Sequence, residues 1–485
     1  MLTQSLFFVL LIFIPIGTKF LVYQFTPGFH EYETAFVYLS DIFLLGFLAF
    51  YLFHNLHPKS SSKSQFPNPN FQINSKSKLS KFTTPITNHK LLITIFLFFA
   101  GLSIFFAFGK GLAFYSLARL LIMVIMTFAV AEFVRRAGLF KKVLALLAIL
   151  AVAQSVIGFL QFERQANLGL QILGESPISG SAPGVSKVLV HGAKLIRAYG
   201  TFPHPNIFGA FLTLGLVSLF YLYVKSLESG GERPNFKEFF RAFVIKRLAF
   251  LIAIFLVAVG LTLTFSRSSW IGAIIATAMF LLLVFLQDIK SRAFDQPGNF
   301  WLPRSIRFFG AMLAVAVFLL AALGWVAVPR AQVSPTERSI ALRLDYNRLG
   351  LAIVAQRPFG VGIGNQVLYA YEHGLYQEFG MKKASDWQPV HNLYLLIASE
   401  IGVLGLLSFL IFIVLLSSRL FKLALKLETA VVLILLVTVL VLGFFDHYFW
   451  TLEQGRLMLW LVIGMVMAVI NRPHSSTDRT RPSEG

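Results

Sequence analysis

The feature that most constrains this chain is a series of apolar runs of about 20 residues, each long enough to cross a bilayer as a helix. Of the 485 residues, 56% are hydrophobic and only 13% are charged, too few charges for the surface of a water-soluble protein of this size. The first run, LFFVLLIFIPIGTKFLVYQF, has neither a basic leading segment nor a small-residue cleavage site, so we interpret it as a retained helix and not as a signal peptide. We predict an all-α polytopic integral membrane protein.

About 12 transmembrane helices are predicted from these runs, nine before and three after one long connecting segment. The predicted spans are 3–23, 36–54, 91–108, 112–133, 141–162, 206–225, 247–265, 268–287, 308–328, 391–417, 428–448 and 456–470. The long segment, residues 329–390 between helices 9 and 10, is too long for a simple connector, and such loops usually carry function. Within it, SIALRLDYNRLGLAIVAQ has apolar residues at helical spacing and predicts a short helix.

The charge distribution predicts the orientation of the chain in the membrane. The formal charge is +20, and 26 of the 42 Lys and Arg residues lie in six segments that are cytoplasmic when the N-terminus is inside. A lipid bilayer therefore explains the positive charge, and no nucleic-acid partner is needed. Two of these segments are low in apolar residues: 55–90 is predicted to be a flexible cytoplasmic loop and 471–485 a disordered tail. Residues 163–205 and 329–390 then lie outside.

The stretch QPVHNLYLLIASEIGVLGLL puts His391 at the outer mouth of the predicted helix 391–417. Small residues share its helical stripe, which predicts close packing on a neighbouring helix. Glu400 lies about 13 Å deeper on the opposite face, so we do not expect it to pair with His391. His391 is either an ordinary interfacial histidine or a proton acceptor, and Glu400 is either a structural contact between helices or a functional carboxyl.

A second polar feature, LTFSRSSWIGA, puts Arg267 at a predicted outer turn between two helices. Ser266, Ser268 and Ser269 can cap the following helix, whose N-terminus favours negative charge. Arg267 either extends to the lipid headgroups or binds an anion. The convergence of the serines and the helix end favours an anion site.

A third feature, KLIRAYGTFPHPNIFGAFL, precedes another helix mouth. Pro203 and Pro205 hold His204 extended, and Asn206 is positioned to cap the helix. Capping is favoured over catalysis for Asn206. Arg197 comes shortly before the same helix, on the side of the membrane predicted for Arg267.

The long outer segment contains LRLDYNRLGLAIVAQRPFGVGIGNQ, whose arginines are Arg343, Arg348 and Arg357. Its Gly-Val-Gly-Ile-Gly stretch follows no strand of a βαβ unit and lacks the Lys-Ser/Thr of a P-loop, so it is not a nucleotide-binding motif. Gly360, Gly362 and Gly364 instead predict a tight turn with exposed backbone N–H groups.

The candidate residues Arg197, Arg267, Arg343 and His391 are all predicted on the outer side. Guanidiniums bind phosphate or diphosphate through paired hydrogen bonds, and a neutral histidine accepts a proton near pH 7. Cysteine is absent, which excludes disulfides and thiolate chemistry and leaves His, Asp and Glu as candidate metal ligands. The pattern indicates binding of a polyanionic headgroup together with one proton transfer.

Four segments, YGTFPHPNIFGAFL, FSRSSWIGA, RPFGVGIGN and HNLYLLIASEIGVLGLL, occur in the order and topology of the O-antigen ligase and polymerase superfamily. The sequence resembles this superfamily over residues 190–415, and RPFGVGIGN followed by an outer His-Asn helix is the most specific part. The resemblance implies a GT-C-type, inverting glycosyltransferase that uses no metal or other cofactor. It also implies four regions: helices 1–5 within 1–190, a catalytic region 191–417 that includes the outer loop 329–390, C-terminal helices within 418–470, and the tail 471–485.

By motif position, the superfamily's essential histidine corresponds to His391 and its essential arginines to Arg267 and Arg197. The arginine of the large loop corresponds to Arg343, with two close alternatives. These alternatives are Arg338 and Arg348. The resemblance implies that the arginines bind the donor diphosphate while His391 orients or deprotonates the acceptor hydroxyl. The supporting positions are Asn206, His204, Gly362, Gly364, Asn392 and Glu400.

The implied reaction moves glycan from an undecaprenyl-diphosphate-linked donor to an acceptor hydroxyl at the outer face of the bacterial cytoplasmic membrane. An O-antigen ligase is the first expectation, and a polysaccharide polymerase or a protein O-oligosaccharyltransferase of the same superfamily is the alternative. The acceptor is accordingly a lipid A core, another glycan repeat or a protein hydroxyl.

Two other functions are alternatives to this one. A metal-dependent GT-C enzyme would need an acidic pair in its first outer loop, and HEYET offers Glu31 and Glu33. A transporter or flippase of lipid-linked sugars usually has repeated halves with broken helices at the midplane. The sequence has no convincing internal repeat, and its polar residues gather at one predicted face.

Overall fold

The computed structural model describes residues 2–27, 31–56, 88–135, 139–182, 184–228, 245–291, 302–332, 337–423 and 426–471. The protein is mostly helical, as predicted, and eight of the described helices are long and apolar enough to cross a membrane. It is therefore a multi-pass membrane protein. The count of twelve spans and the GT-C assignment remain predictions.

The described part of the chain forms the following helices and strands. The helices are α1 (Leu2–Ile12), α2 (Leu39–Leu56), α3 (Asn88–Leu102), α4 (Lys110–Arg135), α5 (Leu139–Arg164), α6 (Pro205–Glu228), α7 (Ile245–Leu263), α8 (Arg267–Lys290), α9 (Arg304–Ala331), α10 (Arg338–Gln356), α11 (Gln366–Glu372), α12 (Leu375–Glu378), α13 (Leu393–Ile401), α14 (Val403–Leu423), α15 (Leu427–Gly443), α16 (Tyr448–Thr451) and α17 (Glu453–Ile470). The strands are β1 (Lys19–Gln24), β2 (Thr34–Tyr38), β3 (Lys187–Val190) and β4 (Ala193–Ile196). The eight long apolar helices are α4 to α9, α14 and α17.

The sequence-based prediction of a helix over 3–23 is wrong after Ile12. A turn containing Pro15 ends the helix, and the segment KFLVYQ that comes after it forms β1, which pairs antiparallel with β2. Proline cannot continue a helix, and the β-branched and aromatic residues after it favour a strand. A second hairpin, β3–β4, turns at His191 and Gly192 with φ values of 47° and 83°. The two hairpins were not predicted.

The prediction of one continuous helix over 391–417 is also wrong. The chain forms α13 and α14 with a break at Gly402, whose φ is 90°. A Cβ at this position would lie 2.6 Å from the carbonyl carbon of Phe359, so only glycine fits where the two chain segments cross. The predicted span 428–448 likewise ends early, at Gly443. The short helix predicted in the outer segment is confirmed as α10.

The chain divides into two compact units, which are named here by the candidate residues they contain. The histidine unit comprises Met1–Met123, Val333–Ser418 and Gly443–Gly455. The arginine unit comprises Val124–Gln332, Arg419–Leu442 and Arg456–Gly485. The four regions implied by the resemblance remain a prediction. Most of the predicted cytoplasmic loop (57–87) and of the predicted tail (472–485) lies outside the described residues.

Helix α6 forms the centre of the arginine unit. All of its most apolar 18-residue window is buried. On α6, Phe220 packs against Phe280 of α8 and Phe308 of α9, with ring centroids 5.6 and 5.1 Å away. A Cβ at Gly215 would lie 2.2 Å from the Cβ of Ala151, so this glycine allows α5 and α6 to approach closely. This packing holds α6 against α8, whose first residue is Arg267.

Candidate functional site

The backbone around His391 is held by side chains on both sides of it. Asn392 is the N-cap of α13, and its Oδ1 accepts hydrogen bonds from the backbone N–H groups of Tyr394 and Leu395 at 3.0 and 3.1 Å. On the other side, the N–H of Val390 donates to Oε1 of the buried Gln366 at 3.1 Å. Asn392 therefore acts as a structural support for His391.

The imidazole of His391 is held by stacking. The ring of Tyr346 on α10 lies parallel to it, with a centroid distance of 4.8 Å and an interplanar angle of 9°. The hydroxyl of Tyr346 donates to the carbonyl of Asp386 at 2.6 Å, which fixes the tyrosine. The predicted helix in the outer segment thus positions the histidine.

The hydrogen bonding of His391 determines which ring nitrogen carries the proton. Nδ1 lies 2.9 Å from the carbonyl oxygen of Pro389. Because a carbonyl oxygen can only accept, Nδ1 carries the hydrogen and Nε2 keeps its lone pair. Burial lowers the pKa of His391; Arg343 also lowers it, whereas Asp446 raises it. The resulting neutral imidazole can accept a proton at Nε2.

A second histidine and an aspartate lie beside His391 in the turn between α15 and α16. His447 meets it edge to face, with ring centroids 4.7 Å apart. Both His447 and Asp446 are buried, and His447 Nε2 lies 3.8 Å from Asp446 Oδ1. Burial, with a smaller contribution from His391, lowers the pKa of His447 to about 3. His447 is therefore neutral at pH 7.

Of the three loop arginines, Arg343 is the one directed at this cluster. Its Nη2 lies 4.0 Å from Asp446 Oδ2, and its Nε is buried without a hydrogen-bond partner among the described residues. Arg338 and Arg348 are 60% and 69% exposed, and they pair with Asp386 and with Asp345 of α10, respectively.

The glycine segment 360–364 has the predicted tight conformation, with φ values of 84°, 96° and 77° at its three glycines. The expectation that its N–H groups are exposed is wrong. Val361 and Gly362 donate to the carbonyls of Ser399 and Glu400 at 2.9 and 3.0 Å. Gly364 donates to Oε2 of Glu400 at 2.8 Å. The break at Gly402 frees these carbonyls from the helix, so the loop attaches to α13 and offers no phosphate cradle.

The side chain of Glu400 thus has a structural contact in the histidine unit. Its Oε2 also accepts from the indole Nε1 of Trp450 at 2.7 Å. Trp450 lies on α16, directly after Asp446 and His447. Glu400 therefore connects the glycine segment to the turn that carries these two residues.

In the arginine unit, Arg197 is buried and donates hydrogen bonds through its guanidinium. It donates to the carbonyl of Thr264 at 2.5 Å, to the hydroxyl of Ser186 at 2.8 Å and to Oδ1 of Asn206 at 2.8 Å. The expectation that Asn206 caps its helix is wrong, since it is the second residue of α6. Nδ1 of His204 instead accepts from the N–H of Asn206 at 3.2 Å.

Arg267 is the first residue of α8, directly after the predicted turn, and Ser266 is the N-cap of that helix. Phe265, a buried residue of this turn, has a φ of 50°, which is strained for a residue other than glycine. Its carbonyl accepts from Nε of Arg330 at 3.3 Å, while the preceding carbonyl accepts from Arg197. The turn that presents Arg267 is therefore held by two further arginines.

Several of these residues lie in a segment that matches a known protein family. Residues 252–410 match the family model described as O-Antigen ligase. The chain carries an O-antigen ligase family domain. A search of the curated proteins finds no match. The family indicates an enzyme of O-antigen ligase or polymerase type that acts on lipid-linked glycans.

The O-antigen ligase domain contains only part of the residues described above. Arg267, Arg343 and His391 lie within it. Arg197, Asp446 and His447 lie outside it, and the last two were not singled out from the sequence. A signal existed, since the adjacent Asp446 and His447 interrupt a long apolar stretch, where ionisable residues usually have a function. Arg330 was also missed, because it lay at the edge of a predicted span.

Among the described residues, one group has the composition of a metal site. One ligand atom from each of His391, Asp446 and His447 lies within 4.8 Å of the others. The acidic pair Glu31 and Glu33, proposed above for a metal-dependent enzyme, is not in this group. Glu31 pairs with Lys19, and Glu33 accepts from the hydroxyl of Thr26 at 2.6 Å.

Proposed function

We propose that this protein transfers glycan from an undecaprenyl-diphosphate-linked donor to an acceptor hydroxyl at the outer face of the bacterial cytoplasmic membrane. The observation that carries the proposal is His391: a neutral imidazole, anchored at Nδ1 and with its Nε2 lone pair available, in an O-antigen ligase family domain. This is the state that a general base needs.

In the proposed reaction, Nε2 of His391 takes the proton of the acceptor hydroxyl. The acceptor oxygen forms a bond to the anomeric carbon of the donor from the side opposite the diphosphate. The bond from that carbon to the diphosphate oxygen breaks, and its electron pair leaves with the diphosphate. The reaction inverts the anomeric centre and needs no metal ion.

The arginines are proposed to bind the donor diphosphate and to stabilise the charge that develops as it leaves. Arg267 extends from a helix N-terminus, a position that favours anions. Arg197 contributes in the same unit, and Arg343 supplies a guanidinium beside Asp446. Guanidiniums suit this role because their paired donors match phosphate oxygens.

Membranes that contain His391→Ala or Arg267→Ala and are supplied with lipid-linked donor test the assignment. Loss of a general base is expected to lower transfer by about 10²–10⁴-fold, and loss of one charge-stabilising donor by about 10²–10³-fold. Arg343→Ala is compared with Arg348→Ala, since the exposed Arg348 pairs with Asp345 of its own helix. We expect a loss for the first of these and transfer within about twofold of wild type for the second. Wild-type transfer by both His391→Ala and Arg267→Ala would refute the proposal.

Purified protein in detergent, without vesicles, separates catalysis from transport. Covalent transfer of glycan to an acceptor under these conditions identifies a transferase, whereas a flippase gives no product. Transfer that persists in EDTA supports the metal-independent reaction. Mass spectrometry of the glycans on lipid and protein from a deletion strain then identifies the acceptor and distinguishes ligase, polymerase and protein-modifying activity.

A further inference from the structure

The cluster formed by His391, Asp446 and His447 has more ligating groups than a single proton transfer uses. The two histidines and the carboxylate approach one another within 4.8 Å, and both His447 and Asp446 are buried. We propose that these three side chains bind a divalent transition-metal ion, for which Zn²⁺ is the probe, and that the bound ion inhibits glycan transfer. The inhibition rests on the proposed function, but the binding of the ion does not.

The ligand types fit zinc better than magnesium or calcium. Imidazole nitrogen and carboxylate oxygen are common zinc ligands, whereas magnesium and calcium prefer oxygen ligands alone. Zinc bonds of about 2.0–2.2 Å in a tetrahedral arrangement separate the ligand atoms by about 3.3–3.5 Å. Binding of the ion would therefore bring the three ligand atoms, now within 4.8 Å of one another, closer together. The fourth position would hold a water molecule.

The contacts around both histidines match those of metal ligands. A histidine that binds a metal usually donates its other ring N–H to an oxygen, which orients the ring. In His391 this contact is Nδ1 to the carbonyl of Pro389 at 2.9 Å. In His447 it is Nδ1 to the hydroxyl of Thr451 at 2.7 Å. This hydroxyl donates to the carbonyl of His447 at 3.4 Å, so it accepts from Nδ1. Both rings therefore keep Nε2 as the ligand atom.

Asp446 can bind the ion through one carboxylate oxygen while its other oxygen stays near Arg343. Oδ1 lies 3.8 Å from Nε2 of His447, while Oδ2 lies on the side of Arg343 at 4.0 Å. A monodentate bond through Oδ1 would complete the three protein ligands and leave Oδ2 near the guanidinium. The positive charge of Arg343 opposes a cation here, so the site is expected to bind zinc less tightly than the same ligands would without the arginine.

Bound zinc would inhibit transfer for a chemical reason. The lone pair on Nε2 of His391 is the one that takes the proton of the acceptor in the proposed reaction. A lone pair that forms a bond to zinc is not available to a proton. Zinc at this position therefore removes the general base reversibly, and a chelator restores it.

The binding test uses the purified full-length protein in detergent, stripped with a chelator and titrated with ZnCl₂. Bound zinc is measured by elemental analysis and by competition with a chromogenic chelator. We expect one ion per chain, and a loss of affinity of at least about 100-fold in His447→Gln and Asp446→Asn, more than the 10–100-fold typical of an outer contact. His191→Gln, the same change at an exposed histidine, is the matched control and should bind zinc like wild type.

Two further variants keep the test informative if a ligand variant does not fold. Thr451→Val removes only the hydroxyl that orients His447, and it should weaken zinc binding by about 10–100-fold. Arg343→Gln removes the opposing charge and should tighten zinc binding. Failure of the wild-type protein to bind zinc, or equal binding by wild type and His447→Gln, would overturn the proposal.

Transfer assays separate this inference from the proposed function. The rate of each protein in the presence of chelator is its own reference, and added zinc should inhibit wild type much more strongly, relative to that reference, than His447→Gln. Zinc binding without any transfer by wild type would refute the proposed function and leave the metal site intact. Transfer that depends on His391 but is insensitive to zinc would refute the inhibition.

Discussion

Glu400 provides a sharp test of how the histidine unit is held together. Its Oε2 accepts from the N–H of Gly364 at 2.8 Å and from Nε1 of Trp450 at 2.7 Å, and the residue is only 3% exposed. Glu400→Met keeps most of the side-chain volume and removes both acceptors. The substitution therefore leaves two donors without this partner in a region from which water is largely excluded.

The expected magnitude follows from these two bonds. A buried donor left without a partner costs about 1–3 kcal/mol, so Glu400→Met should lower the free energy of unfolding by about 2–6 kcal/mol. Glu400→Gln keeps an oxygen at the Oε2 position. Because that oxygen can still accept from the two donors, this variant should lose less than about 2 kcal/mol, below the range expected for Glu400→Met.

Reversible unfolding in mixed micelles of increasing SDS content, followed by tryptophan fluorescence, measures these differences. Trp450→Phe is the second variant of the test, because it removes one of the two donors to Glu400 and keeps an aromatic ring. In a double-mutant cycle, Glu400→Met and Trp450→Phe should show a coupling free energy of about 1–3 kcal/mol. Additivity within about 0.5 kcal/mol, or a Glu400→Met protein as stable as wild type, would refute the structural role assigned to Glu400.

Three other substitutions test single contacts. Tyr346→Leu removes the ring stacked on His391 and should lower the rate of transfer by about tenfold, whereas Tyr346→Phe keeps the ring and should stay within about threefold of wild type. Asn392→Ala removes the N-cap of α13 and should lower the free energy of unfolding by about 1 kcal/mol, and Asn392→Asp should not. Gly362→Ala places a Cβ 2.3 Å from the Cβ of Ala107. It should lower the free energy of unfolding more than Gly380→Ala does, because Gly380 has a similar positive φ but open space where its Cβ would lie. Equal unfolding free energies for the two glycine variants, measured by the same SDS titration, would contradict the close packing at Gly362.

The helices of this protein were predictable because their cause is local. An apolar run long enough to span a bilayer favours a helix, and each predicted span overlaps an observed apolar helix, although the first of them is helical only to Ile12. One error, the end of α1 before Pro15, has a local cause, whereas the break between α13 and α14 is caused by a distant segment. Helix α13 ends at Gly402 because the segment that contains Phe359 crosses it there, and spacing within one helix cannot reveal such a crossing.

The residues of the candidate site were likewise predictable where the cause is local and not where it is distant. His391 and Arg267 were found because each stands at the end of an apolar run, and that placement is visible in the sequence. The sequence did not predict that Asp446 lies beside His391, because 54 residues of chain separate them. The predicted helix 428–448 also included Asp446, so the turn that contains it was not predicted. The role of Asn206 was misjudged for a related reason: its partner, Arg197, precedes the helix and competes with simple capping.

The contact between His391 and the turn at 446–447 has a practical consequence for the design of shortened versions of this protein. Similarity to the O-antigen ligase family ends at residue 410, yet the histidine unit takes Gly443–Gly455 as part of its own packing. A polypeptide trimmed to the matched region would retain His391 but lose the neighbours that pack against its ring and the indole that binds Glu400. Sequence similarity therefore marks less of the chain than the site needs, and truncation experiments on this protein have to keep the C-terminal segment at least through residue 455.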